Sequence, residues 1–131
     1  MSLPQTEIDA WVDAYIAAQS SGTPVDADHP QWWAVDRFMD IEQPAEAEAA
    51  WVAIQGVLAR KPSDAVLGSL AAGPLEDLIQ YWGPSFIDRI EDAAHRDGAF
   101  RALLGGVWES STPDVWIRVR RAASGPTPEG S

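Results

Sequence analysis

The chain has no cysteine, a single lysine, two histidines and nine basic residues in 131 positions. Without cysteine there is no disulfide, no zinc–thiolate site and no thiol nucleophile. Against those nine cations stand 20 Asp and Glu, for a formal net charge of −11 and a pI near 4.3. Nucleic acids and anionic membranes are bound through cationic surface, so neither is an expected partner. Long hydrophobic runs are missing too. The uncharged stretch Ala65 to Leu75 is 11 residues with two glycines and a proline, whereas a membrane-spanning helix takes about 20 apolar residues. The opening MSLPQTEIDA carries acids where a secretory signal has a basic flank and an apolar run. A cytoplasmic location is the expectation. Gly-x-Ser-x-Gly, His-Glu-x-x-His and a phosphate-binding loop are also lacking, so no enzyme class is indicated by motif.

What is present is enough for a core. The chain is 46% hydrophobic and has seven tryptophans, which fits one folded domain over residues 1–124. Ten prolines and ten glycines punctuate it, and between them apolar residues recur at helical spacing. Ile8, Trp11, Val12, Tyr15 and Ile16 form one stripe, with Thr6 as the expected N-cap. A second helix begins near Pro30 and buries Trp33, Val35, Phe38 and Met39. A third runs from Pro44 through Trp51, Ile54, Val57 and Leu58 and stops at Pro62. Ser63 caps a fourth that Gly73 ends. Pro74 opens a fifth, closed by Gly83, and Pro84 opens a sixth through Phe86, Ile87 and Ile90. Phe100, Leu103, Leu104, Val107 and Trp108 mark a seventh, and Thr112-Pro113-Asp114 starts an eighth.

No segment alternates as a strand does. The predicted fold is all-α, with about eight short antiparallel helices in a HEAT-like stack of hairpins or a compact bundle. The predicted hairpins pair 44–61 with 63–72, 74–82 with 84–97, and 99–108 with 113–123. Residues 125–131, GPTPEGS, have nothing to bury and are expected to be disordered.

The run Leu70 to Leu78 reads Leu-Ala-Ala-Gly-Pro-Leu-Glu-Asp-Leu, followed by Phe86-Ile87-Asp88, Phe100-Arg101 and Val107-Trp108. With Trp33, Pro44 and Trp51 upstream and Trp116 and Val119 downstream, it resembles the core of a bacterial family of unknown function. The likeness spans roughly Asp28 to Arg121. It implies a small bacterial helical protein and no activity. Trp82 stands where the family pattern has histidine, and Gly98 where it has proline.

Three groups of residues carry chemistry worth testing. On the sixth predicted helix, Asp88, Glu91, Asp92 and His95 fall on one face, where carboxylates and an imidazole three or four apart can share a metal ion. A solvated face with an Asp92–Arg96 pair gives the same pattern. Glu76 and Asp77 follow Gly73-Pro74, where two acids can do acid–base work or simply cap a helix start. Asp26, Asp28 and His29 could also ligate a cation, but helix entry explains them more cheaply. Of the adjacent Trp32 and Trp33, one is expected to be exposed, and Trp32 with Asp36 and Asp40 forms the candidate binding surface. Trp11, Trp51, Trp82, Trp108 and Trp116 are expected in the core.

Charge is uneven: residues 1–50 hold ten acids and one base. That favours steering toward a basic protein. The expectation is a non-catalytic interaction module with no cofactor and no metal, possible forms being immunity- or antitoxin-like. The alternative is a metal- or carboxylate-dependent enzyme using Asp88, Glu91, Asp92 and His95.

Overall fold

The computed structural model describes residues 4–21, 25–109 and 111–124. The expected disordered tail, 125–131, lies outside them. All regular structure among the described residues is helical, as the apolar periodicity requires. No helix there is long and apolar enough to cross a membrane. The chain divides into two compact units, Met1–Leu70 and Ala71–Ser131.

The N-terminal unit contains α1 (Gln5–Ser20), α2 (Trp32–Met39), α3 (Pro44–Ala59) and α4 (Asp64–Leu70). Helix α1 packs against α2, α3 and α4. It buries Ile8, Trp11, Val12, Tyr15 and Ala18, an i, i+3, i+4, i+7 face. Its N-cap is Pro4, and Thr6, the expected cap, lies inside the helix. Helix α3 brings alanines, Ala47, Ala50 and Ala53, ahead of Ile54, Val57 and Leu58. Such small residues let helices approach closely. At Gly56 a Cβ would sit 2.8 Å from Val12 Cγ2. Helix α2 buries Ala34 and Phe38, not the expected Trp33 and Met39, which are 44% and 49% exposed. Phe38 joins an aromatic cluster, 4.6 Å from the Trp11 ring and 5.0 Å from that of Tyr15. Helix α3 ends before Lys61, which takes a left-handed φ of 51°, and Pro62 follows. The Ser63 hydroxyl then accepts from the Val66 N–H at 3.4 Å, as a cap for α4.

The C-terminal unit contains a π-helical segment (Ala71–Leu75), α5 (Glu76–Arg96), α6 (Gly98–Leu104) and α7 (Pro113–Ser124). Helix α5 packs against α6 and α7 and buries Leu78, Ile79, Gly83, Phe86, Ile87, Ile90 and Ala94. The Asp97 carboxylate caps α6, accepting from the Ala99 N–H at 2.9 Å.

Two Gly-Pro pairs expected to break helices do not. Helix α4, the π segment and α5 follow one another with no non-helical residue intervening, so among the described residues six uninterrupted helical runs replace the expected eight. Pro74 falls in the π segment, whose wider turn accommodates a residue that lacks an N–H and crowds the preceding carbonyls. Pro84 lies inside α5. Gly83 does not adopt a left-handed φ; it is small because α7 comes close. A Cβ there would lie 2.6 Å from Ser111 Oγ and 2.9 Å from Val115 Cγ1. The expected hairpin of 74–82 with 84–97 is therefore one helix. In place of the expected pairing of 44–61 with 63–72, α4 packs mainly on α1, whereas α6 and α7 do pack together.

Candidate functional site

In the N-terminal unit a groove of about 700 Å³ opens along α1, the end of α2 and the start of α3. Helix α1 contributes Gln5, Ile8 and Trp11, the spacing that puts side chains on one face. Arg37 enters from the last turn of α2 and Asp40 from its C-cap, and Ala45, Glu46, Glu48, Ala49 and Val52 from the first turns of α3. Short alanine side chains keep the α3 wall low. The start of α3 is fixed by a reciprocal cap: the Gln43 backbone N–H donates to Glu46 Oε1 at 2.9 Å, and the Gln43 side chain accepts from the N3 backbone. Glu46 thus stands in the first turn, where the helix dipole favours negative charge.

Trp11 holds the floor. Its indole N–H donates to the Ala34 carbonyl at 2.9 Å, and the Arg37 guanidinium lies over its ring, 4.6 Å from the centroid. The lining therefore holds three carboxylates, one guanidinium and an apolar strip of Ile8, Ala49 and Val52. Farther along α1, Arg60 reaches Asp9 at 3.1 Å and Asp13 at 3.0 Å. The Asp9 carboxyl is held below its ordinary range by the Gln5 side-chain hydrogen bond and by Arg60.

Of the candidate binding residues, Asp40 lies in this groove, while Trp32 and Asp36 are not among the residues lining it. Trp32 is half-buried and Trp33 is the exposed member of the pair. Sequence reasoning missed Arg37, Trp11, Glu46 and Glu48. The available signal was the concentration of acids around one arginine in residues 1–50; which helices meet there has no local signature.

In the C-terminal unit the expected face is only partly assembled. Arg118 of α7 forks onto Glu91, Nε to Oε2 at 2.8 Å, and its Nη2 also donates to Asp88 Oδ1 at 2.6 Å. Arg118 pulls the Glu91 carboxyl below its usual range. Asp92 pairs instead with Arg96, one turn on, and His95 is exposed. Among the described residues no three histidine or carboxylate side chains are grouped to hold a metal ion. In the loop Asp26–His29, the Asp26 carboxylate accepts from the Asp28 N–H at 3.0 Å, closing a local turn.

Glu76 and Asp77 do not cap a helix start, because helix precedes them. Glu76 Oε1 instead accepts from the Trp108 N–H at 3.1 Å, and Gln80 Oε1 from the Ser111 N–H at 2.9 Å. One face of α5 thus holds the segment leading into α7. Trp108, expected in the core, is 76% exposed on it. Its backbone is fastened and its indole is turned outward. Burial, and next the charge of Glu76, raises the Asp77 carboxyl above its ordinary range.

Over residues 21–127 the chain matches the model of a family of unknown function, DUF6869, and it belongs to that family. No curated protein and no solved structure matches it.

Proposed function

We propose, for this member of a family of unknown function, a non-catalytic role in protein interaction: docking a basic segment of a protein partner in the groove of α1, α2 and α3. The observation that carries the reading is the composition of that groove, which Ile8, Ala49 and Val52 line together with Asp40, Glu46 and Glu48. An amphipathic helix with cations flanking its apolar face complements such a surface. The N-terminal unit holds 11 acids and three bases, and that excess of negative charge steers a basic partner toward it. An immunity- or antitoxin-like role, blocking a basic protein by charge and shape, is the specific form this reading takes. The competing reading, an enzyme using Asp88, Glu91, Asp92 and His95, draws less support because Arg118 engages the first two.

The test is a calorimetric titration of the full chain with a synthetic amphipathic helical peptide carrying leucines on one face and arginines flanking it. Saturable binding is expected. It should weaken severalfold as salt rises from about 0.1 M to about 1 M, where the Debye length falls from about 10 Å to about 3 Å. It should also weaken in the Asp40→Asn/Glu48→Gln double variant. Absence of binding, or binding equally strong with glutamates in place of the arginines, would contradict the reading.

A further inference from the structure

We infer that the face of Trp11 beneath Arg37 is the seat for a guanidinium of the docked partner, with Arg37 occupying that seat as a resident cation until the partner displaces it. This rests on the docking reading and adds which partner side chain is recognised and where.

The indole is pre-positioned. Trp11 is 1% exposed, its N–H is tied to the Ala34 carbonyl at 2.9 Å, and Phe38 packs against its ring at 4.6 Å. The ring cannot turn away without breaking these contacts, so its place in the groove lining is fixed. Arg37 lies over the ring at 4.6 Å, and Asp40, Glu46 and Glu48 line the same groove. A cation above an indole in an acidic surround is the arrangement by which proteins recognise guanidinium and ammonium groups. Guanidinium suits it better, being planar and weakly hydrated, so that it stacks at lower desolvation cost. Arg37 comes from the last turn of α2, on a long side chain that can swing outward without moving the helix. An arriving arginine then replaces one stacked cation by another. The acidic lining opposes the other use of Arg37, anchoring an incoming carboxylate.

The consequence is an intramolecular competitor. Removing the resident cation relieves the partner of displacing a stack, and affinity for an arginine-bearing segment rises by about two- to fivefold.

The experiment is nuclear magnetic resonance of the full chain with the arginine-bearing amphipathic peptide, beside Arg37→Ala and Arg37→Gln. At saturation the Arg37 side-chain protons should lose the upfield ring-current displacement caused by Trp11, while the Trp11 indole N–H keeps its hydrogen-bonded shift. Both variants should bind about two- to fivefold more tightly than the parent chain, and lysine in place of arginine in the peptide should weaken binding. If the peptide binds but Arg37 keeps its ring-current displacement, or the variants bind no tighter, the stand-in role is wrong and groove docking stands. If a glutamate-bearing peptide binds instead and Arg37→Ala abolishes it, Arg37 is an anion anchor and the inference is overturned. If no peptide binds the parent chain or either variant, the docking reading itself fails.

Discussion

The N-terminal unit holds 11 acids and three bases, and the C-terminal unit nine acids and six bases. The acids are nearly balanced; the arginines are not. In the C-terminal unit, Arg118 joins Glu91 and Asp88, Arg96 joins Asp92, and Arg101 donates to the Ala94 carbonyl at 3.1 Å. Arg118 and Arg101 of that unit tie one helix to another, and Arg96 pairs within α5. In the N-terminal unit, Arg60 serves Asp9 and Asp13, but Arg37 lies on an indole inside an acid-lined groove. Surface ion pairs contribute little to stability. The difference therefore matters less for folding than for what each surface can attract.

The largest effect is expected at Phe38, the ring shared by the contacts to Trp11 and Tyr15. Phe38→Ala should lower unfolding free energy in urea by about 3–5 kcal/mol and diminish the near-ultraviolet dichroism of the packed aromatics. A loss under about 1 kcal/mol would show that the aromatic cluster does not centre the N-terminal core.

Next come two glycines that play one part in different units. Gly56 faces Val12 and Gly83 faces Ser111 and Val115, each with less than 3.0 Å for an added Cβ. Gly56→Val and Gly83→Val should each cost about 1–3 kcal/mol by overpacking. Gly68 on α4 has nothing within 4 Å of the same position, so Gly68→Ala should stabilise by about 0.5–1 kcal/mol. Equal responses at all three sites in thermal melts would remove close approach as the reason for the first two glycines.

The smallest effects separate two carboxylates of α5 with opposite pH responses. Glu91, held low by Arg118, contributes stability above the ordinary carboxylate range that is lost as pH falls through its depressed pKa. Glu91→Gln should cost at most about 1 kcal/mol at neutral pH. Asp77, raised by burial, keeps its proton in the folded state where the unfolded chain has released it. Its folded state therefore loses stability as pH rises from the ordinary carboxylate pKa to the raised one. Asp77→Asn should raise neutral-pH stability by a few tenths of a kcal/mol, roughly, with solvent screening discounted. Urea titrations from pH 3 to 7, roughly the carboxylate range and above, check both signs.

Helix content was legible because apolar spacing reports the buried face, as Ile8, Trp11, Val12 and Tyr15 do. The miscounted helices share one cause. Leu75, Leu78, Ile79, Phe86, Ile87, Ile90 and Ala94 keep helical phase straight through Gly83-Pro84. Burial of that continuous face outweighs the local cost of a glycine and a proline. Continuous apolar phase is thus a stronger signal than local punctuation. Trp108 misled in the reverse direction: it continues the apolar series of α6, but that helix ends at Leu104, and Glu76 holds the Trp108 backbone with the ring outward. Acid richness pointed to the N-terminal residues, and Asp40 does line the groove. The partnership of Arg37 with Trp11 joins residues 26 apart in sequence, set by how α1 and α2 pack, and periodicity within either helix does not reveal it.

Chemical-shift mapping of the full chain with the arginine-bearing peptide, at about 0.1 M salt where exposed charges still act over about 10 Å, tests the contrast most directly. Perturbations are expected at Gln5, Ile8, Arg37, Ala49 and Val52, with resonances around Arg118 and Trp108 unmoved. Perturbations centred on Trp108 or Arg118, with the groove silent, would contradict the assignment of docking to the N-terminal unit.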